Sequence, residues 1–133
     1  MSYAAVQDLL TDHLATVPGL PPLQEENTRN QVKSTTAFSR VTLLPASAVQ
    51  LTVGQHGRDR VEGLLQVDLF HPIDTGIAAP NALADAVVAH FPRGTTLTDG
   101  ATTVHVGTVS RLTGGRIEAF YQTPVQVRWA IER

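Results

Sequence analysis

The chain has 133 residues, a formal net charge of -2, 42% hydrophobic and 17% charged residues, and no cysteine. That length suits one domain able to remove about two thirds of its unfolded surface from water. The charge provides no overall field for nucleic acid or an anionic membrane, and the missing cysteines exclude disulfides, thiolate metal sites and a cysteine nucleophile, fitting a reducing cytoplasm.

From Tyr3 to Val17 the apolar residues Val6, Leu9, Leu10, Leu14 and Val17 recur at three- and four-residue steps, with Asp8 and Asp12 opposite. This predicts an amphipathic helix that Pro18 and Gly19 end. Its start lacks the basic residues and apolar run of an export signal, and no later stretch reaches the ~20 apolar residues of a spanning helix.

The next segment, GLPPLQEENTRNQVKSTTAFS, reads as a long loop. Connections of this length inside a domain are mobile or functional, so Glu25, Glu26, Arg29 and Lys33 are expected to contact a partner and to order against it.

Strands are expected over Phe38 to Leu44 and Val49 to Val53, separated by turn material at Pro45, Ala46 and Ser47. A second turn follows over Gly54 to Asp59. Arg60 to His71 reads as a strand with Val61, Leu65, Val67 and Leu69 on one face and Gln66, Asp68 and Phe70 on the other. Gly63 is expected at a bulge or bend.

AAPNALADAVVAHF predicts a second helix from near Pro80 to before Pro92, with Leu83, Val87 and Phe91 in one stripe, Ala84 and Val88 beside it, and Asp85 and His90 more exposed. Strand structure follows over Thr102 to Leu112, then a turn at Thr113 to Gly115 and a final run from Arg116 to Glu132. Odd positions from Ile117 to Ile131 alternate with polar ones at a period of two.

Fifteen such residues at about 3.3 Å each would span about 50 Å, against a diameter of about 36 Å for a domain of this size. The strand must therefore bend or leave the body. Pro124 is the expected break, and a hairpin arm over Thr102 to Thr123 is expected to project. Helices segregated from runs of strands give an α+β fold, with two main helices packed on a mixed or antiparallel sheet in a single domain over residues 1–133.

Motifs for chemistry do not assemble. Asp68, His71 and Asp74 are the nearest approach to a metal constellation, yet Asp68 and His71 point to opposite faces of a strand, and Asp74 suits a turn cap. His13, His56, His71, His90 and His105 show no i, i+4 pair. Ser39, Ser47 and Ser110 lack a GxSxG context, and adjacent Glu25 and Glu26 diverge. Gly54, Gly57 and Gly63 precede no helix that could present N–H groups to a phosphate. Arg58, Arg60, Arg111, Arg116 and Arg128 lie among strands without interleaved aromatics, a pattern as suited to protein interfaces as to nucleic acid. Trp129 and Tyr121 read as core, whereas Phe120 sits on the polar side as a candidate anchor.

The succession VTLLPAS, QLTVG, GLLQVDLFHPIDTG, ALADAVVAHFPRG and PVQVRW resembles the tail terminator, or tail-completion, proteins of long-tailed bacteriophages. Gly63, Gln66, Val67, Asp68, Phe70, Pro72, Gly76, Ala84, Asp85 and Phe91 match that family's pattern in order. The resemblance implies a small α+β subunit that forms a ring, usually a hexamer, caps the tail tube and presents a surface to the head connector, without catalysis or cofactor. Implied partners are further copies of the chain, the tail tube protein and head-tail connector proteins, at the head-proximal end of a virion tail assembled in the host cytoplasm.

A ring joined head to tail needs two different patches per subunit. The expected ones are the hairpin around Leu112 to Gln122, with Arg111, Arg116, Glu118, Phe120 and Gln122, and the strand and turn around Gln66 to Gly76, with Gln66, Asp68, Phe70, His71 and Asp74. The alternatives are a head-tail connector adaptor, also a small ring-forming protein, and a hydrolytic enzyme built on Asp68, His71 and Asp74.

Overall fold

The computed structural model describes residues 3–24 and 36–133. Nine elements follow in chain order: α1 (Tyr3–Ala15), β1 (Leu23–Gln24), β2 (Phe38–Gln50), β3 (Asp59–Pro72), α2 (Ala78–His90), β4 (Thr96–Thr98), β5 (Thr103–Arg111), β6 (Gly115–Ile117) and β7 (Phe120–Glu132). The strands form one seven-stranded sheet in the order β1-β2-β3-β7-β5-β4, with β6 also pairing with β7. Among the described residues, only β1 and β2 pair in parallel. The fold is α+β with a mixed sheet, as the alternation of periods predicts.

Both helices cover one face of this sheet. On α1, Val6, Leu10, Leu14 and the following Val17 are buried, and on α2 Pro80, Ala84 and Val87 are buried, continued by Phe91. Leu83 and Val88 flank that stripe rather than lead it. Beneath them lie the odd residues Val61, Leu65, Val67 and Leu69 of β3 and Val125, Val127, Trp129 and Ile131 of β7. Each such side chain contributes about 1.5–3 kcal/mol of burial, so this layer holds the helices on the sheet.

The helices also meet through their last turns. The His13 and His90 rings stack with centroids 4.4 Å apart. Each ring donates from Nε2 to the other's backbone carbonyl, at 2.7 Å from His13 and 3.0 Å from His90. His90 is therefore half-buried in a helix contact, not simply exposed. These bonds occupy carbonyls that a helix C-terminus otherwise leaves without partners.

Several boundaries differ from the sequence expectation. Pro45 to Ser47 is a β-bulge inside one continuous β2, not a turn, with Pro45 opposite Gly63 and Ser47 opposite Glu62. Proline is tolerated at a bulge. The strand ends at Gln50, and the loop is closed by Leu51 N–H to the Arg58 carbonyl at 2.8 Å.

Gly63 does not bulge: its neighbours demand a residue without a side chain. A Cβ there would lie 2.6 Å from both the Leu44 carbonyl oxygen and Trp129 Cζ2. The bulge is across the ladder, in β2.

The final strand starts at Phe120 because the chain reverses at Glu118 and Ala119, with Ile117 paired to Phe120. The expected arm over Thr102 to Thr123 is thus divided. β5 lies within the sheet, and only β6 with the first residues of β7 forms a short exposed hairpin. β7 then pairs with β3 along its whole length, from Phe120 opposite Pro72 to Glu132 opposite Arg60.

Pro124 does not break it. Its carbonyl accepts Leu112 N–H at 2.9 Å, so its nitrogen also faces the β5 side, where pairing ends at Arg111 and β6 takes over at Gln122. The missing donor falls in the gap between two partner strands, where it interrupts no ladder.

Candidate functional site

The face of the sheet opposite the helices carries the even residues of β3 and β7, and a row of amides and one carboxylate crosses it. Gln66 and Gln122 both donate from Nε2 to Asp68 Oδ1, at 3.0 and 2.8 Å, and Gln126 Nε2 reaches Gln66 Oε1 at 3.4 Å. Asp68 is buried, and two amide donors on its carboxylate offset its desolvation. Register places these residues together: Gln66 is opposite Gln126, and Phe70 is opposite Gln122.

At the end of the row lies an aromatic cluster. Phe38 and Phe70 stack with centroids 4.5 Å apart, and Phe120 meets Phe38 edge-on at 5.1 Å and Phe70 at 6.1 Å. The Arg40 guanidinium lies 4.9 Å from the Phe70 ring centre, a cation–π contact. Phe120 is half-buried in this cluster rather than presented on an exposed arm.

Asp74 and Arg116 form an ion pair between the turn after β3 and strand β6. Asp74 adopts a φ of 64° and Glu118 a φ of 53°, the left-handed region that favours glycine and asparagine. A cleft of about 390 Å³ beside this ion pair is lined by Pro72, Ile73, Ile77 and Tyr121 among others.

The remaining expected residues part company. His71 points to the helix-covered side, where it is buried and its Nδ1 has no hydrogen-bond partner. Burial holds its pKa below the ordinary 6.5. Arg111 is opposite Val125, on the other side of the sheet from the amide row. Asp68, His71 and Asp74 do not converge, because β3 stays regular through Pro72, and no group of three His, Asp or Glu among the described residues could hold a metal ion. Glu25, Glu26, Arg29 and Lys33 lie outside the described residues.

The two expected patches adjoin at one end of the sheet. His71 is opposite Tyr121, Pro72 is opposite Phe120, and Ile73 N–H donates to the Ala119 carbonyl at 3.2 Å. The hairpin and the turn after β3 therefore lie side by side, with Gln66, Asp68, Phe70 and Gln122 on one face of the sheet and His71 and Arg111 on the other. The aromatic cluster went unread in the sequence because Phe38 begins one strand and Phe120 another, 82 positions away. Strand pairing alone brings them together.

A family profile described as phage tail terminator protein matches residues 3–129. The chain belongs to the phage tail terminator family. Terminators are structural proteins of the phage tail, so this chain has its place in the virion tail among other tail proteins. A solved structure 23% identical to the chain superposes with a TM-score of 0.72, covering 97% of this chain and 92% of that one. That likeness supports the fold. A search of curated proteins found no match. Within the terminator fold, both helices are committed to one sheet face, and the amide row, the aromatic cluster and the hairpin lie away from them.

Proposed function

We propose that the chain acts as one domain over residues 1–133, closes with further copies into a hexameric ring on the last ring of the tail tube protein, and stops tube elongation. The ring then presents its other surface to the head connector proteins, at the head-proximal end of a tail assembled in the host cytoplasm. Elongation stops because the tube surface that would add another subunit is covered. The role is structural, with no catalysis and no cofactor.

The single observation that carries this reading is the family match over residues 3–129. The geometry agrees with it. The acidic and histidine side chains that could have formed a reaction centre are parted by strand alternation, while ordered polar and aromatic groups occupy the face that the helices leave uncovered.

The test is polymerisation of the cognate tail tube protein with increasing amounts of the purified chain, with tube lengths measured by electron microscopy. Shortening of the length distribution in proportion to added chain is expected. Tube lengths that do not respond at any ratio would overturn the proposal.

A further inference from the structure

The ring reading above requires two unlike patches, and away from the hairpin and the turn after β3 the sheet contains a recess suited to be one of them. Two bulges flank the central strands at nearly one level. In β2, Ala46 is inserted opposite the Glu62–Gly63 step, and in β5, Gly107 and Thr108 together face Arg128. Bulges bend the outer strands and disturb the ladder locally.

Between them lies a cleft of about 390 Å³ whose lining includes Ala46, Leu64, Gly107 and Ala130, with Arg128 and the Arg60–Glu62 pair among its charged groups. Arg60 Nε is bonded to Glu62 Oε1 at 2.7 Å. Arg128 is exposed and makes no ion pair among the described residues. The recess therefore offers small apolar surface and one uncommitted cation.

The matching shape is at the other end of β7. The reversal between β6 and β7 puts Ile117, 44% exposed, next to Glu118, exposed and in a left-handed conformation. A charged non-glycine residue at the apex of a tight hairpin is an outlier of the kind that accompanies function. Glu118 makes no ion pair among the described residues.

Ten residues of strand separate Phe120 from Ala130, about 33 Å, so the apex cannot reach the recess of its own chain. We propose that Ile117 and Glu118 of one copy enter the recess between the two bulges of the next copy, Ile117 resting against Leu64 and Ala130 and the Glu118 carboxylate pairing with the Arg128 guanidinium. Each copy then gives one patch and receives the other, which is the head-to-tail contact that closes a ring.

The chain has no cysteine, so a double variant Glu118→Cys, Arg128→Cys reports the contact cleanly. Mild oxidation is expected to give a ladder of covalent oligomers, while each single variant gives at most dimers. Charge reversal supplies a second measurement. Glu118→Arg and Arg128→Glu should each raise the concentration for half-assembly, read by sedimentation velocity, about tenfold or more. Combining them should restore most of the loss.

A double cysteine variant that gives no ladder beyond the single variants, with wild-type assembly insensitive to both reversals, overturns the contact and leaves the ring reading standing. A ladder from a chain that leaves tube length unchanged supports the contact and removes the terminator role instead.

Discussion

The two faces of the central strands β3 and β7 are built from the same two stretches of sequence yet do different work. The helix-covered face holds Val61, Leu65, Val67, Leu69, Val125, Val127, Trp129 and Ile131, fitted to one another and to both helices. The other face holds Gln66, Asp68, Gln122 and Gln126 in bonds of defined direction. Apolar burial is roughly proportional to area and tolerant of partner, whereas an amide and a carboxylate accept only matched geometry. The first face accounts for folding and register, since a slip of one residue would turn it to the wrong side. The second sets a polar surface that the helices do not cover.

The helix-covered face is most sensitive at Trp129. Replacing it with alanine removes a large, almost wholly buried ring and should lower stability by about 4 kcal/mol, measured by urea unfolding. Gly63→Ala attacks the same place from beneath. Its new Cβ meets a backbone carbonyl and the Trp129 ring at 2.6 Å, so a loss of about 3 kcal/mol is expected from overpacking. A loss below about 0.5 kcal/mol would show that the strands separate there more easily than the packing implies.

On the polar face the effect should be smaller and different in kind. Asp68→Ala strips the acceptor from two amides, and about 2 kcal/mol is expected, the penalty of unsatisfied donors. If Gln66→Ala combined with Asp68→Ala costs the sum of the two single changes, the row is not a network.

His71 tests the boundary between the faces through pH. Its folded-state pKa is depressed by burial, so the unfolded chain takes up the proton first as pH falls. Stability should be constant above the ordinary value of 6.5, decline as pH drops from there toward the folded pKa, and show no further loss from this group below it. His71→Gln should flatten the part of the pH profile just below 6.5. An unchanged slope would assign it to another group. The smallest effect belongs to Arg116→Ala, which removes an exposed ion pair with Asp74. Less than about 1 kcal/mol is expected by thermal unfolding.

Periodicity revealed most of the first face and little of the second. Helical spacing located α1 and α2, and the period of two in β3 and β7 placed their apolar residues on the correct side. The same pattern gave no sign of which polar residues would meet. Gln122 and Asp68 are 54 positions apart and share a hydrogen bond only because β3 and β7 pair antiparallel in one register.

The errors fell where local chemistry admits two outcomes. Pro45 with Ala46 and Ser47 suits a turn as well as a bulge. Alternation from Ile117 onward concealed a reversal at Glu118, a residue whose type does not announce a left-handed turn. Pro124 suits a break as well as a seam between two partner strands, because where one partner ends and the next begins cannot be read from a single strand.

The most direct measurement is electron microscopy of tail tubes assembled with the purified chain, with averaging of the tube ends. A closed ring of six subunits at one end of each tube, absent from the tube walls, is the expected image. Chain bound along the walls, or tube ends without added density at saturating chain, would contradict the account.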